Sequence, residues 1–456
     1  MSTVTQSSPP ALSFTSQCIL YVSGSCFLLF LVIVLVVISR LLGRIVRLAT
    51  KSSASKAVAK KISKKVESDG EESSQVQEVA KHQPSSSANL KTLIKEAQKA
   101  SHAKKGLSKD DHASHHPLFI NTLKGHGDVV HGVTWSSDSK LLATSCDDMM
   151  VRIFDLSDIT NREPKFRRIK TPRIPVGAGF SDSKGEQVAV VMRGIPDTIV
   201  AMFSPTATKT LEGGTVEQLW QVSNVHGKEP VLQAKASCSS SGRANVIVSL
   251  STKKDAKVFN MQGKEMAALE PNSLGNHELA LSGDGRFIAV ASFTSEVKIW
   301  EVKTAKDTGA VTGVVKAMDL KGHKKKVMSV ALSPDGKRAV TVSQDGTLRV
   351  WNIDVRYSFS EDPKTLLTIA IPLAGGRCYQ HLAYGPTGII AASYDGMVYF
   401  IHSSTGELLD SIDAHDGYIT ELSWSPKLIK MTGREEPVAV LATSGTDKRV
   451  RMWRCP

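Results

Sequence analysis

The chain is poor in features that mark redox, metal or secretory chemistry. It has six cysteines in 456 residues, and none forms a C-x-x-C pair. Cys18 and Cys26 sit in or beside an apolar N-terminal stretch, and Cys146, Cys238, Cys378 and Cys455 are widely and irregularly spaced. That scatter excludes a zinc knuckle and a dithiol redox motif and fits reduced thiols. No Asn-x-Ser/Thr acceptor occurs, as expected of a body that stays on the cytosolic side of a membrane. Catalytic signatures are missing too: there is no G-x-S-x-G elbow, no Walker phosphate loop and no kinase motif. His277-Glu278 opens like a zinc-protease helix but has no second histidine. No catalytic residue, cofactor or metal site is therefore expected.

Charge is missing from the first 39 residues altogether, although the whole chain carries +13. Within that span, 19–39 is a run without charge or proline, rich in Phe, Leu, Ile and Val. Twenty helical residues reach about 30 Å, the thickness of the hydrocarbon layer. Arg40, Arg44, Arg47, Lys51, Lys56, Lys60, Lys61, Lys64 and Lys65 follow before the first acid, Glu67. Positive flanks stay cytosolic, so the reading is a single transmembrane signal-anchor helix at 19–39, with 1–18 as a short non-cytosolic tail. An uncharged start and an arginine directly after the run argue against a cleaved signal peptide.

Residues 40–117 hold 16 Lys/Arg against 8 Asp/Glu, and their Ser, Ala, Lys and Glu content cannot build a core. They read as a basic, disordered, flexible linker. His112, His115 and His116 lie there beside Asp110 and Asp111, ligand-type residues without a scaffold to fix them. The remaining 118–456 carries only 41 against 36, too even a balance to indicate specific nucleic-acid binding.

What 118–456 does have is repetition. Turn clusters begin at Ser136, Ser181, Ser239, Ser282, Ser333, Gly385 and Ser425, spaced 40 to 58 residues apart. Further along each repeat stands a hairpin, clearest in Ser343-Gln-Asp-Gly-Thr-Leu-Arg-Val-Trp351. Its Asp-Gly pair suits a tight turn, and the residues after it alternate with period two. Asp148 to Phe154, Thr294 to Trp300 and Asp447 to Trp453 are close copies. Gly125-His126, Gly322-His323 and Ala414-His415 open three repeats.

These residues resemble the WD40-repeat family, whose fold is a β-propeller. The fold class expected is all-β, a seven-bladed WD40 propeller preceded by one transmembrane helix and a basic linker. The resemblance implies a buried tetrad of His323, Ser343, Asp345 and Trp351 in the fifth blade. It implies partial versions with His126 and Asp148, where Phe154 replaces the tryptophan, and with His415, Asp447 and Trp453. Repeats 2, 3 and 6 lack most of the pattern. The chain is one strand short at its end, and 118–123 is expected to complete the last blade and close the ring. Lys321, Lys324, Lys325 and Lys326 surround one Gly-His pair as a basic patch suited to an acidic or phosphorylated partner segment.

Residues 280–365 resemble the transducin beta-like protein 2 family more specifically, notably Phe287 to Val302, and Ala317 to Asp354-Val-Arg-Tyr357 with Asp362-Pro363. That resemblance implies an endoplasmic-reticulum membrane protein with a cytosolic propeller. It would serve as a protein-interaction scaffold in unfolded-protein-response signalling, with a membrane stress kinase or translation-associated factors as partners. The alternative reading is a propeller guanine-nucleotide exchange factor for a small GTPase in vesicle budding. Such proteins carry the anchor after the propeller, whereas here it comes first. An organelle outer membrane suits the anchor as well as the reticulum does.

Overall fold

Short apolar strands separated by Ser, Pro, Asp and Gly can bury both faces only if successive sheets stack on one another. A computed structural model of the chain describes residues 115–456 apart from 195–196, 206–215, 238–244, 254, 272–273 and 374–376. The apolar run at 19–39, most of the linker and the turn at Ser239 lie outside those residues. Among the described residues no helix is long and apolar enough to cross a membrane.

The described strands form seven four-stranded antiparallel sheets, each built from consecutive strands except the last. They are the blades of a propeller, and they span 130–170, 174–222, 231–269, 276–320, 327–370, 381–413 and 419–454. The seventh takes its outer strand from the other end of the chain. Phe119–Leu123 pairs antiparallel with Val450–Arg454, Thr122 opposite Arg451, so the first and last strands close the ring.

Burial follows from stacking. The second strands Val246–Ser251, Phe287–Ser292 and Val440–Gly445 are buried at every position, because a blade covers each of their faces. Outer strands such as Leu408–Asp413 are largely exposed. Seven apolar clusters fill the spaces between neighbouring blades, one per interface. Burying a side chain of this size contributes about 1.5–3 kcal/mol.

The innermost strands approach most closely at blade 2. A Cβ on Gly177 would lie 2.3 Å from the Ala234 carbonyl oxygen of blade 3, so only glycine fits. At the junction of blades 7 and 1, the Trp135 indole donates to the Ser423 carbonyl at 3.1 Å, and Lys427 N–H donates to Ser139 Oγ at 2.9 Å. The insertion after Ser425 folds back through an Ile429–Val438 bridge and packs Ile429, Met431 and Val438 on the same junction.

Antiparallel pairing gives the ring two distinct faces. Strand-two to strand-three hairpins and the connections between blades share one, called here the hairpin face. The turns that follow the inner strands occupy the other, and in blades 1, 4 and 5 they read Ser-x-Asp. In three of these turns the serine hydroxyl donates to the aspartate two residues on: Ser136 to Asp138, Ser282 to Asp284 and Ser333 to Asp335.

Candidate functional site: the hairpin face and the channel

In blade 5 a chain of hydrogen bonds runs from the outer core to the hairpin face. The Trp351 indole donates to Thr341 Oγ1 at 2.8 Å. That hydroxyl lies 2.8 Å from His323 Nε2, and His323 Nδ1 lies 3.0 Å from Asp345 Oδ2. A consistent proton order is indole to hydroxyl, hydroxyl to Nε2, and Nδ1–H to carboxylate. Asp345 also accepts the Lys324 backbone N–H at 2.9 Å, which pins the lysine loop to the hairpin.

This arrangement corrects one expectation. Thr341, not Ser343, joins the histidine to the tryptophan. Ser343 Oγ instead donates toward the Lys325 and Lys326 carbonyls at 2.9 Å and accepts the Asp345 N–H. Both residues point to the same side of one strand, Thr341 deeper and Ser343 nearer the rim.

Blade 7 repeats the chain with Trp453, Thr443, His415 and Asp447. Arg451, almost fully buried, also donates to Asp447 at 2.6 Å. In blade 1 Thr144 Oγ1 lies 2.9 Å from His126 Nε2, and Phe154 stands where the indole would be. Asp148 there turns to Arg152, at 2.7 Å, and accepts the Gly127 N–H, leaving His126 Nδ1 without a partner. Blade 3 contains a further set, His226 with Ser249 at 2.8 Å and Asp255 at 2.9 Å. The sequence concealed it because His226 precedes its glycine and Phe259 replaces the tryptophan.

The titration of these groups follows from burial and neighbours. Burial, with the nearby Arg152 cation, lowers His126 to about 4 despite Asp148. Burial also lowers His323 and His415 against the pull of their aspartates. Burial alone would raise Asp345, but bonds from Lys324 N–H, Thr347 and His323 hold it well below the ordinary range. Asp447 is held down likewise by His415 and Arg451. Burial thus favours the neutral form of His126, His323 and His415, and the bonds around them favour the ionised form of Asp148, Asp345 and Asp447.

The relay positions the basic loop. Lys321, Lys324 and Lys325 are exposed on the hairpin face, and the Lys326 ammonium lies 4.7 Å from the ring centre of Phe293 in blade 4. Arg377, in the connection before blade 6, lies 5.7 Å from the Tyr394 ring. His116 accepts the Leu118 N–H and meets Trp453 edge-on. Among the described residues no group of three or more His, Cys, Asp or Glu side chains is placed to hold a metal ion.

The inner strands surround a channel that charged side chains cross. Lys235 of blade 3 reaches Glu421 of blade 7 at 2.8 Å, and Glu421 also accepts the Val133 N–H of blade 1 at 2.9 Å. Glu278 of blade 4 faces His381 of blade 6 at 3.6 Å. Burial works against the His381 charge, but Glu278 and Glu421 raise its pKa overall. On the turn side lies a cavity of about 490 Å³ lined by Trp135, Lys235, Leu332, Glu421 and Trp424 among others.

The family model for the WD domain, G-beta repeat, matches residues 118–155, 315–352 and 406–454, which are the neighbourhoods of blades 1, 5 and 7. Transducin beta-like protein 2 from Homo sapiens is 30% identical over 344 residues, covering 74% of this chain and 72% of that protein. Its Mus musculus counterpart is 28% identical over 75% of this chain and 73% of its own length. A WD repeat-containing protein 26 homolog from Arabidopsis thaliana is 22% identical over 73% of this chain and 49% of its own. The chain belongs to the transducin beta-like protein 2 family.

As a WD40 propeller of that family, it has the architecture of a scaffold that binds other proteins, a class generally without catalytic activity. The relay residues are stabilising elements that hold the rim, and the rim carries the candidate contact residues. Sequence reasoning missed the aromatic partners of the lysines. Phe293 directly follows a second strand, the position at which hairpin-face residues sit, and that register was the available signal.

Proposed function

We propose that this chain is a membrane-anchored scaffold whose cytosolic propeller recruits protein partners on the hairpin face, without catalysis of its own. The observation that carries the reading is the Lys321–Lys326 loop, held by Asp345 on a closed ring and offering cations to the outside. An acidic or phosphorylated segment is its natural complement. The apolar run at 19–39 with its basic flank supports the tether. The family resemblance supports the endoplasmic reticulum as the membrane and unfolded-protein-response signalling as the setting, with a stress kinase or translation-associated factors as partners.

The test is proximity labelling from a tag after Pro456 in stressed and unstressed cells, with wild type and a Lys324→Glu/Lys325→Glu variant compared. Stress-dependent labelling of reticulum kinases or translation factors, lost in the variant, is the expected result. Labelling of a small GTPase with coat proteins, or of another organelle's surface, would overturn the proposal in favour of an exchange factor or an outer-membrane protein.

A further inference from the structure

The lysine loop does not stand alone on its face. Leu274 is 71% exposed and Phe293 45% exposed, and the two are neighbours on the rim. They are held together: Phe293 N–H donates to the Gly275 carbonyl at 3.0 Å. Gly275 has φ +125°, and a Cβ there would lie 3.1 Å from the Phe293 ring, so the glycine lets the loop lie flat against it. Lys326 roofs one side of that ring, and the His277 ring stands 5.3 Å from it. Lys326 also reaches toward blade 6, where its charge opposes the upward push of burial on the Cys378 thiol. Beside Cys378 stands Arg377. Among the described residues no salt bridge pairs the side-chain cation of Lys324, Lys325, Lys326 or Arg377 with a carboxylate.

We propose that the hairpin face of blades 4 to 6 takes an extended acidic protein segment carrying one bulky apolar side chain. That side chain seats against Leu274 and the open edge of Phe293. The flanking carboxylates meet Lys324, Lys325, Lys326 and Arg377. The proposal rests on the scaffold reading and specifies the chemistry of its partner. Four cations with no side-chain salt bridge among the described residues, beside an apolar shelf, form a complement to such a segment and a poor fit to a neutral one. A nucleic acid fits less well. Stacking of bases needs an open ring face, whereas Lys326 and His277 flank the Phe293 ring.

The experiment uses the full chain in detergent and a fluorescent synthetic peptide of Glu and Asp around a central Leu-Phe, read by anisotropy. Saturable binding that weakens with salt is expected. Lys324→Glu/Lys325→Glu should weaken it roughly tenfold or more, and Phe293→Ala about fivefold. A matching loss is expected when the peptide's Leu-Phe becomes Ser-Ser or its acids become amides, changes that leave the protein untouched. The chemistry is overturned if binding ignores Phe293→Ala and the Ser-Ser change, or if a short oligodeoxythymidine binds as tightly with the same sensitivity to the variants. Either outcome leaves the labelling test of the scaffold reading to stand or fall separately, since that test reads cellular partners rather than this peptide.

Discussion

Thr341 makes two buried hydrogen bonds at once, and its loss would leave the Trp351 indole N–H and His323 Nε2 without partners. Thr341→Val should therefore destabilise the propeller by about 2–4 kcal/mol, measured by urea unfolding. Ser343→Ala removes bonds nearer the rim and should cost only about 1 kcal/mol. Equal effects would show that the relay is not centred on Thr341. Spacing could not separate these two residues in the sequence, because positions two apart on a strand share a face. His323, Asp345 and Trp351 were legible because their residue types are rare at that spacing. Protonation should report the same design. His126, His323 and His415 have folded pKa values below the ordinary 6.5, so the unfolded chain takes up protons first as pH falls. Their contribution is complete above about 6.5 and is lost on descent toward the folded values, which for His126 is about 4. That single group accounts for a total loss on the order of 3 kcal/mol across the window. A His126→Asn variant should show a visibly flatter decline of the urea midpoint over this window, and an unchanged slope would contradict the assignment.

At the scale of the strand, the inner edge of blade 2 is a tight fit against blade 3. Gly177→Ala forces a methyl against the Ala234 carbonyl and should cost about 3 kcal/mol. Gly313, in the outer strand Val311–Leu320, has nothing near its absent side chain, so Gly313→Ala should change stability by less than about 0.5 kcal/mol. Thermal midpoints of the two variants check the contrast. Blades 1, 5 and 7 were readable in the sequence because each keeps a histidine and an aspartate at the expected places, hydrogen-bonded to each other in blades 5 and 7 and separated in blade 1, where Asp148 turns to Arg152. Blade 3 keeps them too, but with altered flanks. Blades 2 and 6 achieve the same stacking mainly with apolar residues, such as Val188–Arg193 and the buried Tyr379, which leave no polar signature. Apolar complementarity can be met by many residue combinations, so it writes no motif.

Across the whole molecule, the Lys235–Glu421 pair joins blades that do not touch in sequence order or as ring neighbours. Removing one partner leaves the other charge in the channel. Lys235→Met should cost about 2 kcal/mol, discounted because the lysine side chain keeps some solvent contact. Combining it with Glu421→Gln should cost less than the sum of the two single changes. Additive losses in a double-mutant cycle would mean the contact carries no coupling. None of this was visible in the sequence, since residues 186 positions apart meet only once the ring has closed.

The shared seventh blade sets a schedule for synthesis. Phe119–Leu123 leaves the ribosome early, yet its partner, Val450–Arg454, is made some 327 residues later. At about 5–20 residues per second, that interval is on the order of half a minute. Throughout it, every earlier blade can stack on its neighbour while the growing arc keeps two open ends. The nascent protein must therefore survive as an unclosed crescent, and the final strand acts as the latch that ends its exposure to chaperones and to other chains.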